Sequence, residues 1–165
     1  MPARLLRPSG ASAPVRFHTL RREVRIPRPV DEVFAFFSDA RNLESITPPW
    51  LGFRTLTRGP IHIAEGTRIR YRLNVHGAPL SWTTEIRRWN PPSRFVDVQL
   101  SGPYQLWHHT HRFEPRDGGT RMIDIVRYRL PFGPLGRLVN ALAVRRDVER
   151  IFDYRNRRIG EIFRY

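Results

Sequence analysis

The distribution of hydrophobic positions divides the chain into a strand-like middle and helical flanks. Between Trp50 and Leu130 apolar and polar residues alternate with a period of two, and Gly, Pro and Asn interrupt the alternation at regular intervals. Such alternation is typical of half-buried strands. The six predicted strands are Trp50–Arg58, Gly66–Val75, Leu80–Trp89, Arg94–Leu100, Tyr104–Glu114 and Thr120–Leu130.

Helical spacing precedes and follows this region. Phe17–Ile26 predicts a first strand, and Pro29–Ser38 predicts a short helix with one apolar face. A second short helix is expected through Ile46, capped by Ser38 or Asp39. Over 135–163 the apolar residues keep helical spacing, so this segment predicts one long helix. They are Leu135, Leu138, Val139, Leu142, Val148, Ile151, Phe152, Ile159, Ile162 and Phe163.

This order of elements predicts an α+β fold. A curved, seven-stranded antiparallel sheet would carry its helices on one side, with two short helices after the first strand and a long one at the end. The space between the curved sheet and the long helix is the expected place for a ligand. Residues 17–165 are expected to form a single domain, and residues 1–16 mix Pro, Ser, Gly and Arg as a flexible tail does.

Composition narrows the classes of function. The chain has 165 residues and no cysteine, which excludes disulfides and thiolate chemistry. No apolar run reaches the ~18 residues of a membrane span, and the first residues lack the apolar core of a secretory signal. We therefore expect a cytoplasmic protein.

The charge is strongly basic. All 29 basic residues are arginine, and the net charge is +14. This balance favours either a bias in genome composition or an anionic partner. We expect no nucleic acid partner, because the aromatic residues of the predicted sheet face inward rather than outward. The charge is compatible with a transient contact with an anionic membrane surface, and the sequence leaves the oligomeric state open.

Hairpin geometry aligns side chains across five strands. With each turn at the centre of an antiparallel pair, one face of the sheet is apolar and the other is rich in arginine. The apolar face is the one expected against the long helix. Its predicted rows are Ile69, Ile86, Phe95, His111 and Asp124, then Tyr71, Thr84, Asp97, His109 and Val126, then Leu73, Trp82, Gln99, Trp107 and Tyr128.

Two histidine–aspartate pairs stand out on this inner face. Asp97 is predicted opposite His109, and Asp124 opposite His111. One interpretation is a buried polar cluster that only fixes the core, since buried ionisable groups need partners. Others are a polar end for a ligand cavity, or general acid–base catalysis by either histidine.

Metal binding is a further alternative for the same residues. His109-x-His111 places two imidazoles on one face, and zinc would need Asp97 or Asp124 as a third ligand. No spacing here is diagnostic, so the sequence predicts neither a metal nor a cofactor.

Several segments resemble those of a known superfamily. They are Pro29–Phe37, Thr47–Phe53, the run Gly102-Pro103-Tyr104-x-x-Trp107-x-His109-x-His111-x-Phe113, and Gly119-Thr120 with Asp124-x-Val126-x-Tyr128-x-x-Pro131. Together they resemble the START/Bet v 1-like helix-grip superfamily, in particular the bacterial SRPBCC (polyketide cyclase/dehydrase-like) group. The second and third are also similar to a domain that accompanies some epimerase-like proteins.

The resemblance implies a helix-grip fold with a deep apolar cavity. It implies binding or carrying of a lipid, polyketide or quinone-like molecule, with a cyclase or dehydratase that uses His109 or His111 as the alternative. Asp97 and Asp124 complete the catalytic candidates. The expected cavity residues are Tyr71, Trp82, Thr84, Phe95, Asp97, Gln99, Trp107, His109, His111, Asp124 and Tyr128.

Overall fold

A computed structural model describes residues 17–164, and its elements follow the predicted order. The predicted tail, residues 1–16, lies outside the described residues. The strands are β1 (His18–Ile26), β2 (Arg54–Thr55), β3 (Arg68–Val75), β4 (Ala78–Asn90), β5 (Arg94–Ser101), β6 (Leu106–Arg116) and β7 (Gly119–Arg129). The helices are α1 (Val30–Phe37), α2 (Gly133–Val139) and α3 (Arg145–Ile162), with short 3₁₀ turns at Ala40–Leu43 and Pro49–Leu51.

The seven strands form one antiparallel sheet in the order β1-β7-β6-β5-β4-β3-β2. Helix α3 packs across the inner face of this sheet. Phe152 of α3 shares a buried cluster with Val126 of β7, and Ile159 shares another with Phe113 of β6. The predicted α+β helix-grip architecture is therefore confirmed.

The predicted register is confirmed in the centre of the sheet. Asp97 pairs with His109 across β5 and β6, and His111 pairs with Asp124 across β6 and β7. These hairpins close where the Gly and Pro signals indicated, so their alignment follows from the turn positions.

The register of β3, β4 and β5 differs from the prediction by two residues. Tyr71 pairs with Trp82 rather than Thr84, and Ile86 pairs with Asp97 rather than Phe95. The first shift arises because the turn lies at His76 and Gly77, both at positive φ, one residue earlier than assumed. The second accompanies an irregularity between Ile86 and Arg88. A shift of two leaves the side chains of β3 and of β4 up to Ile86 on their predicted face. The extra residue between Ile86 and Arg88 reverses the alternation beyond it, so Trp89 lies on the inner face and packs against Phe34.

The predicted strand Trp50–Arg58 is wrong in most of its length. Pro49–Leu51 forms a 3₁₀ turn instead, and only Arg54–Thr55 pairs with β3. Gly52 follows that turn in the left-handed region at φ 48°, which side chains other than glycine rarely adopt. Proline and glycine signals here outweigh the alternation of apolar residues.

The long helix is present, but its first turns do not pack on the sheet. Asn140–Val144 forms a π-helical segment that joins α2 to α3, so the helix runs from Gly133 to Ile162. The predicted apolar stripe is buried along α3 and exposed along α2 and the π-helical segment, where Leu142 is 67% exposed. The exposed apolar residues beside it are Phe132, Leu135, Leu138 and Val139. Within residues 17–164 no helix is both long and apolar enough to cross a membrane.

Candidate functional site

A cavity of about 590 Å³ lies between the sheet and α3. Apolar and aromatic side chains form most of its wall, as is typical of small-molecule sites. The sheet contributes Ile69, Tyr71 and Trp82, and α3 contributes Ile151 and Phe152. The cavity therefore lies where the curved sheet was expected to leave space.

Eight of the predicted cavity residues line this wall. They are Tyr71, Trp82, Thr84, Phe95, Asp97, Trp107, His109 and His111. Burial raises the pKa of Tyr71 well above its ordinary value, so its hydroxyl stays protonated at neutral pH.

Gln99, Asp124 and Tyr128 do not line the wall, which corrects the prediction for these three. The Gln99 side chain instead donates to the backbone oxygen of Tyr104 at 2.6 Å. Asp124 lies behind the histidines, and Tyr128 is buried in a cluster with Leu20. Strand alternation identifies a face of the sheet, but not which part of that face the helix covers.

The structure adds a polar rim that the sequence analysis missed. The wall includes His76 and Asp147, whose side chains meet at 2.7 Å between the β3–β4 turn and α3. Trp50 also lines the cavity, is 51% exposed, and lies under the guanidinium of Arg150. These exposed residues mark where the cavity reaches the surface. The only sequence signal for His76 was its place in a Gly-containing turn.

Asp97, His109, His111 and Asp124 form one cluster rather than two separate pairs. The hydrogen bonds run diagonally, from His109 Nε2 to Asp124 Oδ1 at 2.9 Å and from His111 Nε2 to Asp97 Oδ2 at 2.8 Å. The two imidazole rings lie 3.7 Å apart, which brings each within reach of both carboxylates. We expected each carboxylate to hold the histidine opposite it, and that detail is wrong.

The remaining ring nitrogens also face carboxylates. His109 Nδ1 lies 3.6 Å from Asp97 Oδ2, and His111 Nδ1 lies 3.0 Å from Asp124 Oδ1. The latter contact is short but lies outside hydrogen-bond geometry. Phe95 stacks on His111 at 4.0 Å and limits rotation of its ring.

Arg155 of α3 completes the cluster and was not predicted. Its Nε lies 3.6 Å from Asp124 Oδ2, and its guanidinium lies over the rings of Phe37 and Phe152. The residue is only 8% exposed, and arginine is rarely so buried without a partner. The signal was present in the sequence, because Arg155 occupies the apolar stripe between Phe152 and Ile159.

Burial and neighbouring charges set the ionisation of this cluster. Burial by itself would raise the pKa of Asp124, but the Arg155 charge and the His109 hydrogen bond hold it well below its ordinary value. Burial acts in the same direction on Asp97 and is the largest single effect, but the His111 hydrogen bond and the charges of His109, His111 and Arg155 together outweigh it, so the pKa of Asp97 is also lowered. Both carboxyl groups are therefore ionised at neutral pH.

The pKa values of the two histidines are shifted in opposite directions. Burial and the neighbouring His111 lower the pKa of His109, which favours its neutral form. For His111 burial is outweighed by the two carboxylates, which raise its pKa. Asp97, with 17% of its side chain exposed, is the most accessible group of the cluster from the cavity. The arrangement can therefore accept a hydrogen bond from a ligand, exchange a proton with it, or hold a cation.

The sequence matches one family model along nearly all of its length. The family is described as polyketide cyclase / dehydrase and lipid transport, and the match covers residues 18–163. A search of curated proteins found no match.

Solved structures share the fold at low sequence identity. A protein from Mycobacterium smegmatis is 18% identical, with a TM-score of 0.65 over 87% of this chain and 89% of its own. A protein from Thermus thermophilus is 23% identical, with a TM-score of 0.61 over 86% of this chain and 97% of its own. Ara h 8.0201 is 15% identical, with a TM-score of 0.63 over 90% of this chain and 98% of its own.

One similar structure carries this fold as part of a longer chain. The nucleoside-diphosphate sugar epimerase from Corynebacterium glutamicum is 24% identical, with a TM-score of 0.62 over 86% of this chain and 28% of its own. At such identities the structures establish the fold alone. The family match over residues 18–163 does more, and it shows that the chain belongs to the polyketide cyclase / dehydrase and lipid transport family, with a START/Bet v 1-like helix-grip fold.

Proposed function

We propose that this protein binds or carries an apolar small molecule, of the lipid, polyketide or quinone-like class, between the sheet and α3. The observation that carries the proposal is the 590 Å³ cavity with its mostly apolar wall and a cluster of ionised groups on the sheet side. Apolar pockets with a few convergent polar groups are the usual form of small-molecule sites. Asp97 and the adjacent His111 would receive the polar end of the ligand.

Native mass spectrometry of protein purified without detergent tests this proposal. We expect additional mass from a bound apolar compound, which organic extraction removes. A fluorescent fatty acid then serves as the probe for the emptied protein, and it is expected to bind with one-to-one stoichiometry.

A cavity-filling variant provides the matched comparison. Leu73 lines the cavity, whereas Leu100 is 40% exposed and does not line it. We expect Leu73→Trp to weaken binding of the probe at least ~10-fold, because the indole fills cavity space and leaves less apolar wall for the probe to contact. Leu100→Trp should leave the affinity unchanged. Equal affinity of both variants and the parent would place the probe elsewhere.

Catalysis by the same cluster is the second candidate. The observation that favours it is the hydrogen bond from His111 to Asp97. Within the buried cluster, Asp97 has the most exposed side chain, so a substrate in the cavity could reach this pair. His109 or His111 would act as the general acid or base of a cyclase or dehydratase. His111→Gln is then expected to reduce turnover of a polyketide-like substrate by ~10²–10⁴-fold with binding retained. A binding protein would show no turnover in the parent.

We further propose that α2 contacts an anionic membrane surface during loading or release of the ligand. Phe132, Leu135, Leu138 and Leu142 are each more than half exposed on this helix or beside it, next to Arg137 and Arg145. Exposed apolar residues beside arginine are suited to an anionic lipid surface. Leu138→Asp is expected to weaken binding to phosphatidylserine vesicles, while Leu100→Asp leaves it unchanged. Equal binding by both variants would contradict the contact.

A further inference from the structure

We propose that Asp97, His109 and His111 form a binding site for a divalent transition-metal ion, with Zn²⁺ the expected ion. One ligand atom from each of the three side chains lies within 4.8 Å of the other two. Imidazole nitrogen and carboxylate oxygen are common ligands of Zn²⁺ and of neighbouring divalent metals. His109 and His111 are two residues apart on β6, so both project from the same face of the sheet as Asp97 of β5.

The separations from Asp97 to the two histidines are close to those that a metal ion requires. Ligand atoms 2.0–2.2 Å from a tetrahedral Zn²⁺ lie about 3.3–3.6 Å from one another. Asp97 Oδ2 lies 3.6 Å from His109 Nδ1, within that range, and 2.8 Å from His111 Nε2, the length of their hydrogen bond, which would widen when an ion replaces the proton. The other oxygen of Asp97 lies 3.3 Å from the Thr84 hydroxyl, which also donates to the backbone oxygen of Val98 at 3.0 Å.

Asp124 faces the two histidines from the opposite side and is hydrogen-bonded to His109. Its Oδ1 lies 2.9 Å from His109 Nε2 and 3.0 Å from His111 Nδ1, which are the ring nitrogens that point away from Asp97. Metal-binding histidines commonly face a carboxylate with their second nitrogen, which fixes ring orientation and raises ligand basicity. Arg155 lies 3.6 Å from Asp124 and balances its charge. The nitrogens that face Asp97 are thereby directed at the proposed ion.

The charge of the cluster favours a cation. Leaving the histidines aside, the carboxylates of Asp97 and Asp124 outnumber the guanidinium of Arg155 by one, so the cluster has room for one further positive charge. All these groups are largely buried, and an unbalanced buried charge is costly. Either a metal ion or a proton on a histidine supplies this positive charge, and titration with Zn²⁺ separates these two occupants.

Three protein ligands leave at least one coordination position toward the cavity, where Asp97 is partly exposed. That position suits a ligand oxygen such as a carboxylate, phenolate or enolate, as catalytic zinc sites bind substrate. This choice of ligand class rests on the proposed function, whereas the metal site itself does not.

Calorimetric titration of chelator-treated protein with Zn²⁺ alone tests the site. We expect one site per chain in the parent. Asp124→Asn should weaken its affinity by ~10–100-fold, as is typical when a partner of metal-bound histidines is lost, and Asp97→Ala by more. The matched control is His62→Ala, which removes an exposed histidine outside the cluster and should leave the affinity unchanged.

Nitrogen NMR of the histidine rings keeps the test valid if a variant fails to fold. In the parent, Zn²⁺ should shift the ring nitrogens of His109 and His111 and leave His62 unchanged. Absence of a stoichiometric site, or shifts confined to exposed histidines, would overturn the proposal and leave a proton as the occupant. Fatty acid binding, measured on the same chelator-treated protein, reports on the proposed function separately.

Discussion

Replacing Arg155 with methionine removes the guanidinium that faces the buried carboxylate of Asp124. Arg155 is 8% exposed, and its Nε lies 3.6 Å from Asp124 Oδ2. Methionine is unbranched and keeps an apolar side chain beside Phe37 and Phe152, over whose rings the guanidinium lies. The variant therefore removes the charge and its contacts with the two rings while it keeps much of the apolar volume.

The expected cost follows from the geometry. At 3.6 Å, and with the effective dielectric constant of about 20 that suits protein sites, opposite unit charges attract by about 5 kcal/mol. Release of Arg155 from its desolvated position offsets part of this attraction, and His109 and His111 still face Asp124. Breaking a buried ion pair from one side typically costs ~3–5 kcal/mol. We expect Arg155→Met to lower the free energy of unfolding by about 3 kcal/mol.

Urea denaturation of chelator-treated protein at neutral pH measures this difference. The matched control is Arg157→Met, which removes an exposed arginine from the same helix and should change stability by less than ~0.5 kcal/mol. A double-mutant cycle with Asp124→Asn gives the coupling energy of the pair. Equal losses for the two arginine variants, or a coupling energy near zero, would refute the assignment of Arg155 as the counter-charge of Asp124.

Three further predictions use other parts of the molecule. Combined Arg70→Gln, Arg72→Gln and Arg127→Gln substitutions should leave fatty acid affinity unchanged, because these arginines lie exposed on the outer face; a collapse of affinity with the fold intact would favour a charged partner. His76→Ala should accelerate probe release measured by stopped-flow fluorescence, because it breaks the contact with Asp147 at the rim; unchanged rates would argue against exit there. In chelator-treated protein, Asp124→Asn should lower the free energy of unfolding by less as the pH falls below 3.8, the ordinary pKa of the carboxyl group. The reason is that Asp124, whose pKa is lowered in the fold, stabilises the fold only while it is ionised; a loss of stability that is independent of pH would contradict this.

The face of each strand could be predicted from the sequence because strand side chains alternate with a strict period of two. His109 and His111 were placed on the inner face, and the structure buries both. The register between strands could not be predicted from alternation alone, since it depends on which residues occupy the turn. The early turn at His76 and Gly77 shifted β3 against β4 by two residues without moving any side chain to the other face.

Side-chain contacts within the cluster depended on information that alternation does not carry. Cross-strand opposition was correct for Asp97 and His109, but the direction of each ring decides its hydrogen bond, and the ring contact between His109 and His111 favours the diagonal pairs. Arg155 was missed because the apolar stripe of α3 was assigned from its hydrophobic members alone. A charged residue on such a stripe indicates a buried partner.

The exposed apolar residues of α2 show the limit of helical periodicity. Leu138 and Phe152 belong to the same predicted stripe, yet the first is 55% exposed and the second is buried. Periodicity identifies the apolar face of a helix, whereas burial depends on how far the sheet extends beneath it.

Methyl NMR during titration with a long-chain fatty acid tests whether a ligand binds between the sheet and α3. Ile69, Leu73 and Ile151 line the cavity, whereas Leu138 lies on the exposed face of α2. We expect saturable shifts at the cavity methyls with one-to-one stoichiometry. Shifts confined to Leu138 and its exposed neighbours, or the absence of shifts at the three cavity residues, would contradict binding between the sheet and α3.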